Sequence, residues 1–484
     1  MLDYIKAEYW NVFVVFNYIV AVSAIITILL KSINPNRTVP YIVLLVLFPF
    51  LGLLVYYLFG QEYRKNKIFN RKNILNQSII KSIKKDVQFN SEEIKRVDDY
   101  LGDKVKLVKL LYNDEYAPLT LKNDVSIINN GNDLFSRLIK DIKEAKHHIH
   151  LEYYTLMDDT IGKEIMGLLC EKSKSGVEVR LSYDDVGSKI SSKMKRKMDK
   201  NGVMHFPFMP VVFNKFTGKM NYRNHRKIAI IDGTVAYVGG MNISDEYLNN
   251  KEDDSFWRDT HLRIIGEAIK SLQIHFFTTW SFVSNSKVEI DKSYFPEIAC
   301  EKNVGVQIAA SGPDTDWANI MESILTAITL AKKYVYITTP YFVPNLEILT
   351  AMQMASRSGV DVRLIIPKNS DSWVTKHATN SYLESLLLAN VKVYHYTKGF
   401  VHAKTMVVDD IFSTVGTSNM DYRSFYVNFE VNAFIYDIDK SKTLKQHFYE
   451  DLGNSELIDR ERWLSRSKLQ KAYESYSRLW AALI

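Results

Sequence analysis

Only two cysteines, Cys170 and Cys300, occur in 484 residues, and no short spacing links them. That shortage excludes a disulfide framework and a cysteine-ligated zinc site, and it fits a reducing compartment. The acidic pairs Asp158-Asp159, Asp184-Asp185 and Asp253-Asp254 come without a glycine-rich phosphate loop or cation-loop spacing. They read as solvated turns rather than as a Mg²⁺ site. Charge is missing altogether from two runs, residues 9–30 and 39–60. Each is long enough to cross a bilayer, which takes about 20 residues. A cleavable leader would instead have one shorter apolar core. Pro49 and Gly52 inside the second run are residues that membrane helices tolerate, and Tyr9, Trp10, Tyr56, Tyr57 and Phe59 sit where interfacial anchors do.

The flanks set an orientation. Arg64, Lys65, Lys67, Arg71, Lys72, Lys81, Lys84 and Lys85 follow the second run, against only Lys31 and Arg37 between the runs. The positive-inside bias then predicts a transmembrane helical hairpin with the large remainder of the chain in the cytoplasm. The net charge of +7 suits an anionic partner. Its concentration beside the membrane favours acidic lipid headgroups over nucleic acid. Hydrophobic content of 46% and charged content of 24% are those of a globular chain, and the length allows more than one compact unit.

Self-comparison exposes a duplication. "IKEAKHHIHLEYYTL" (142–156) matches "ITLAKKYVYITTPYF" (328–342), and "SGVEVRLSYDD" (175–185) matches "SGVDVRLIIPK" (358–368). Next come "HRKIAIID" (225–232) and "HAKTMVVD" (402–409), then "GGMN" (239–242) and "GTSN" (416–419). The order is the same and the offsets are nearly constant. The expected organisation is two membrane helices in 1–62, a basic juxtamembrane linker in 63–104, and homologous halves in 105–285 and 286–484. Strands alternating with helical stretches make each half α/β, with a mixed β-sheet flanked by helices. The halves are expected to meet about a pseudo-twofold axis with their equivalent motifs at the interface.

Read as strands, the octapeptides place His and Lys two residues apart on one face, ahead of an apolar run that fits a strand buried on both sides. Imidazole is a nucleophile or a general acid near neutral pH. A neighbouring lysine supplies fixed positive charge for a phosphoryl oxygen. Asn242 and Asn419 add neutral donors after glycines that allow a tight turn. Asp232 and Asp409 are less obviously chemical; each could cap a turn or hold a loop through backbone hydrogen bonds. Moving a phosphoryl group between alcohols through a covalent intermediate needs one nucleophile and one acid that later serves as base. Two histidines, two lysines and two asparagines supply this without a metal or a cofactor.

These residues resemble the phospholipase D superfamily, whose mark is two H-x-K-x4-D motifs. "NPNRTVPYIVLLVLFPFLGLLVYYLFG", "NYRNHRKIAIIDGTVAYVGGMNISDEY", "WRDTHLRI", "TTPYFVPN" and "VHAKTMVVDD" are most similar to bacterial cardiolipin synthases. The resemblance implies two phospholipase D-like α/β halves and a multi-pass plasma-membrane phosphatidyltransferase. In it, two phosphatidylglycerol molecules give cardiolipin and glycerol through a phosphohistidine; an oligomer is compatible with it. His225, Lys227 and Asp232 with His402, Lys404 and Asp409 would form the catalytic motifs, His225 as nucleophile and His402 as acid/base. Asn242 and Asn419 would bind the phosphate, and Asp259 and Glu430 would orient the histidines. "GGMN" lacks the hydroxyl residue often found after the first glycine, whereas "GTSN" keeps it. The alternatives are a hydrolytic phospholipase D or other phosphodiesterase, and a non-catalytic scaffold, which has no use for two intact motifs.

Four further stretches carry weaker signals. His147, His148 and His150 in "KHHIH" invite a metal reading, but the second half has "KKYVY" there, so they read as strand and surface residues. Glu152 and Tyr183 lie on strands leading toward the site. "FPFMPVVFNKF" (206–216) and "TPYFVPN" (339–345) are candidate lipid contacts. The tail, 460–484, reads as a basic helix with Trp463, Tyr473, Leu479 and Trp480, suited to a lipid surface or to packing on the second half.

Overall fold

A computed structural model describes residues 2–31, 35–59, 101–115, 117–210, 222–249, 256–286, 290–313, 315 and 317–480. They divide into an N-terminal helical unit and a larger α/β unit. In the first, α1 (Leu2–Lys31) is one unbroken helix, and its stretch Tyr9–Leu30 is long and apolar enough to cross a membrane. The second expected span departs from that form. It is two helices, α2 (Pro35–Leu47) and α3 (Pro49–Phe59), interrupted at Phe48. Pro49 has no N–H to continue the helical ladder. Gly52 then lets the chain fold close, since a Cβ there would stand 2.7 Å from Leu45 Cα. Alone, α2 with 13 residues and α3 with 11 fall short of a bilayer-spanning length. The basic stretch 64–85 lies outside the described residues.

Two sheets make up the α/β unit. The first runs β1 (Asn123–Ile128), β8 (His261–Gly266), β6 (Val235–Gly239), β5 (Ile228–Ile231), β2 (His148–Tyr153), β3 (Glu178–Asp184), β4 (Met204–Phe208). The second runs β9 (Gly305–Ser311), β18 (Glu430–Tyr436), β16 (Phe412–Gly416), β15 (Thr405–Val408), β10 (Tyr334–Thr338), β12 (Asp361–Pro367), β13 (Lys392–Tyr396), with β19 (Ser455–Leu457) added at the edge. Under the sequence matches, β2, β3 and β5 correspond to β10, β12 and β15, and the two orders coincide strand for strand. The duplication in the sequence is a duplication of topology.

Three cores follow from this arrangement. One lies between the two sheets and includes Ile228, Ile230, Val238, Val407, Val415 and Val431. The others sit under the outer helices of each half. β5 shows the consequence of period-two alternation. Ile228 and Ile230 enter the core between the sheets, whereas Ala229 and Ile231 enter the outer one. A strand flanked on both faces must be apolar throughout, which explains the "IAII" and "TMVV" runs. The helix Val105–Glu115 contributes Leu107, Val108 and Leu111 to the core of the second half, although a boundary at 105 would assign it to the first. Lys104 reinforces this with a buried 2.8 Å ion pair to Asp409.

"KHHIH" is not a surface stretch beyond its start. His148 and His150 are fully buried on β2, where His148 Nε2 meets Gln273 at 3.2 Å and His150 stacks on Phe276. Burial above all drives these imidazoles down, to about 3 and about 4, so both are neutral core groups.

Candidate active site

The His-x-Lys segments precede β5 and β15 rather than belonging to them; the regular strands begin at Ile228 and Thr405. What keeps these segments extended is pairing with the opposite half. His225 N–H donates to Phe429 O at 2.9 Å, and Phe429 N–H donates to Arg223 O at 2.9 Å. Symmetrically, β14 (Phe400–Val401) pairs in parallel with β7 (Trp257–Arg258), and His402 N–H donates to Arg258 O at 2.7 Å. Each histidine is therefore stitched to the strand entry that carries the other half's carboxylate.

The carboxylates act across the interface. His225 Nδ1 lies 2.9 Å from Glu430 Oε2, and His402 Nδ1 lies 2.7 Å from Asp259 Oδ2. Both carboxylates are fully buried. A proton on Nδ1 facing a carboxylate leaves Nε2 as the ring's basic nitrogen. Burial outweighs the carboxylates and holds His225 down at about 4 and His402 at about 3, so the imidazoles are neutral near pH 7.

The two orienting contacts differ in detail. The Thr417 hydroxyl donates to Glu430 Oε2 at 2.5 Å. In the first half Gly240 takes the corresponding place, and a Cβ there would stand 2.1 Å from Asp259 Oδ1. The missing hydroxyl of "GGMN" thus belongs to the shorter, closer carboxylate rather than to a lost ligand contact. Asp259 Oδ1 accepts the Thr260 N–H at 2.7 Å instead.

Lys227 and Lys404 are buried beneath the histidines, each Nζ donating to the carbonyl of the histidine two residues earlier, at 2.8 and 2.5 Å. Burial depresses both ammonium groups, Lys227 to about 7 and Lys404 to about 8, and the charge of Lys404 adds to the effect on Lys227. Lys227 also stands 5.3 Å from the Tyr154 ring, which meets His225 edge-on at 5.0 Å.

His225, His402, Asn242 and Asn419 open on one cavity of about 830 Å³. Asn242 Oδ1 accepts the Thr155 N–H at 3.1 Å, and its amide donates to Tyr247 Oη at 3.1 Å. Asn419 bonds to the side chain of Asp421. The motif aspartates are elsewhere. Asp232 accepts the N–H groups of Lys146, His147 and His148 at 2.8, 2.7 and 2.9 Å. Asp409 does the same for Lys332, Lys333 and Tyr334 at 2.9, 2.8 and 3.0 Å. Four strand residues, about 13 Å, separate Asp232 from the histidine end of β5. The pair clamps the loops that enter β2 and β10, which leaves the catalytic motif without a reacting carboxylate of its own.

Some cavity residues carried no signal in the sequence. Arg223, Arg423, Tyr154, Tyr247 and Trp257 line the cavity, whereas Glu152 and Tyr183 do not. Arg223 had one available clue: it stands two residues before His225 in an extended segment and so shares its face. Of the candidate lipid runs, Tyr341 reaches the cavity, and residues 211–216 lie outside the described residues. Tyr476 and Trp480 of the tail also line it. The tail helix Lys468–Arg478 packs on Trp373–Leu388 through Arg466, which bonds both Glu474 and Glu384 at 2.8 Å.

Comparison with known proteins agrees with this geometry. A family model described as "Cardiolipin synthase, PLD-like domain" matches residues 138–280 and 324–452. A "Phospholipase_D-nuclease N-terminal" model matches 19–61, which with the apolar α1 points to membrane association. "Cardiolipin synthase" of Halalkalibacterium halodurans is 38% identical, covering 99% of this chain and 96% of that protein. "Cardiolipin synthase 2" of Bacillus anthracis is 40% identical over 94% and 88%. "Cardiolipin synthase" of Staphylococcus aureus is 39% identical over 94% and 93%. In fold, the chain is similar to phosphatidylserine synthase from Haemophilus influenzae, with a TM-score of 0.60 at 13% identity over 78% of this chain and 100% of that one. With the family model matched in both halves and these relatives aligned nearly end to end, the chain belongs to the cardiolipin synthase family of phospholipase D-like proteins.

Proposed function

We propose that this protein is a cardiolipin synthase that moves a phosphatidyl group from one phosphatidylglycerol to a hydroxyl of another and releases glycerol. The observation that carries the reading is two neutral imidazoles on one cavity, each held at Nδ1 by a carboxylate from the opposite half. In the first step Nε2 of neutral His225 attacks phosphorus and the bond to the headgroup oxygen breaks, while His402, which takes up a proton on Nε2 as the anionic phosphodiester enters beside it, passes that proton to the leaving oxygen. In the second, the acceptor hydroxyl gives its proton to His402, its oxygen bonds to phosphorus, and the phosphorus–nitrogen bond breaks. Lys227 and Lys404 neutralise the phosphoryl oxygens, and the amides of Asn242 and Asn419 fix them.

Substrate supply fits a membrane setting, with the chain crossing the bilayer through its N-terminal segments and its α/β unit on the cytoplasmic side. The tail helix buries Glu474 and Ser477 and turns Leu469, Tyr473 and Tyr476 outward, 62%, 46% and 55% exposed. These positions recur at helical spacing on one face, which continues through Trp480 into the cavity wall. Lys468, Lys471 and Arg478 flank it. A stripe of this kind, apolar and basic at the mouth of a lipid-processing cavity, fits the surface of an anionic bilayer.

Purified full-length protein in phosphatidylglycerol vesicles tests both readings. Cardiolipin and glycerol should form in equal amounts; phosphatidic acid as the main product would assign a hydrolase instead. Tyr473→Asp with Leu469→Asp should slow turnover of bilayer lipid at least tenfold while slowing that of dispersed short-chain phosphatidylglycerol far less. Equal slowing on both would remove the bilayer role of the stripe.

The lysines set the pH dependence. Lys227 and Lys404 lose charge as pH rises through about 7 and about 8, while His225 stays neutral down to about 4. The free enzyme governs kcat/KM. It should therefore fall on the alkaline side between these two lysine values and on the acid side near 4. Lys227→Arg, which keeps its charge, should move the alkaline limb upward; an unmoved limb assigns it to another group.

A further inference from the structure

The two halves match in topology, yet the cavity walls they build do not match in chemistry. Two residues before each histidine stand Arg223 and Phe400. Four residues after each asparagine stand Glu246 and Arg423, and two before each carboxylate stand Trp257 and Asn428. Around His402 the result is aromatic, with the rings of Tyr247, Trp257 and Phe400 at 6.1, 5.7 and 6.0 Å. Around His225 one ring, that of Tyr154, stands at 5.0 Å, and the residues at the positions just compared are polar and cationic. Arg423 Nη2 donates to Asn428 Oδ1 at 3.3 Å, and Asn428 in turn reaches the Glu430 carboxylate at 3.5 Å.

A site that handled only the reacting phosphoryl group would need no such difference, since both histidines, lysines and asparagines are already duplicated. The asymmetry therefore answers to a ligand with a second, different end. Two guanidinium groups sharing one wall repel each other; Arg223 is buried and Arg423 half-buried. Burial first, with Arg223 among the further causes, lowers the basicity of Arg423, against the opposing pull of Asp421. Asp184 takes the N–H groups of Val186, Gly187 and Asn224 and meets Arg223 at 3.4 Å, and Asp421 caps the helix Tyr422–Tyr426 through the Ser424 N–H at 2.7 Å. A bound anion relieves the repulsion, and planar guanidinium groups match phosphate oxygens in pairs.

We propose that Arg223 and Arg423 form a second anion subsite, which holds the non-reacting phosphate of the acceptor lipid while its glycerol hydroxyl reaches the phosphoenzyme. No bond forms or breaks in this subsite; it selects a phosphorylated acceptor over water or a neutral alcohol. This rests on the transferase reading above and adds the basis of acceptor choice.

Two rates measured on the same proteoliposomes test it: cardiolipin formation, and exchange of labelled glycerol into phosphatidylglycerol. Exchange uses the same phosphoenzyme with an acceptor that has no phosphate. In Arg423→Gln and in Arg223→Gln the ratio of cardiolipin formation to exchange should fall at least tenfold, with phosphatidic acid rising as water competes. Arg423→Lys, which keeps a charge but loses the paired geometry, should fall between and serves if the glutamine variant does not fold. A ratio unchanged in all three variants, whether both rates drop together or neither does, overturns the subsite. A wild-type protein that exchanges glycerol but makes no cardiolipin would instead overturn the cardiolipin-forming reading itself.

Discussion

Replacing His225 with alanine is expected to abolish the labelled phosphoenzyme and to lower cardiolipin formation by at least about 10³-fold, because His225 is the group assigned to form the covalent intermediate. His402→Ala should cost a comparable factor in turnover by a different route. The intermediate would form slowly, for want of a proton on the leaving oxygen, and would then persist, for want of a base on the acceptor. Rapid-quench labelling with phosphatidylglycerol carrying ³²P separates the two outcomes. A label that survives His225→Ala and vanishes in His402→Ala would exchange the roles. The double variant should be hardly worse than either single one, since the histidines act as one unit.

The parts of this site that the sequence made legible are those set by local pattern. Two copies of His-x-Lys with equal spacing to an asparagine identified the reacting groups, and the unbroken apolar runs behind them identified strands covered on both faces, as β5 and β15 are. Asp232 and Asp409 could be read as loop clamps because a carboxylate ending a buried strand has few other uses. What stayed hidden depends on which distant segments meet. Nothing in "WRDTH" or "NFEVN" tells whether its acid serves the histidine of its own half or the other; that choice is made by the pairing of Arg223 and His225 with Phe429. The burial of His148 and His150 was hidden for the same reason, since polar side chains enter a core only when a distant Gln273 satisfies them. Pro49 marks a physical ambiguity of another kind. Membrane helices tolerate proline, so an apolar run containing one is compatible with a span or with the break found between α2 and α3.

Glu430→Gln and Asp259→Asn should each lower turnover by about 10²–10⁴-fold, or roughly 3–5 kcal/mol of barrier, with little loss of stability. The substituted side chains are the same size, so packing survives. What goes is the negative charge that stabilises positive charge on the ring during proton transfer and phosphoryl attack, and an amide turned the wrong way would also favour the wrong tautomer. The contacts cross between halves, so the effects should cross as well. Glu430→Gln should slow formation of the phosphoenzyme through His225, and Asp259→Asn should slow proton exchange at His402 in both steps. Nitrogen-15 spectra of the histidine rings give a direct check: Glu430→Gln should shift the Nδ1 resonance of His225 and leave that of His402 nearly in place. If Glu430→Gln shifts His402 instead, the carboxylates serve their own halves and the crosswise arrangement is wrong. The two variants should also differ in degree. Beside its histidine, Glu430 is anchored by the Thr417 hydroxyl, whereas among the described residues Asp259 has only the Thr260 N–H, with no room for a hydroxyl at Gly240. An asparagine at 259 is thus held less firmly than a glutamine at 430, and the larger loss should fall on His402.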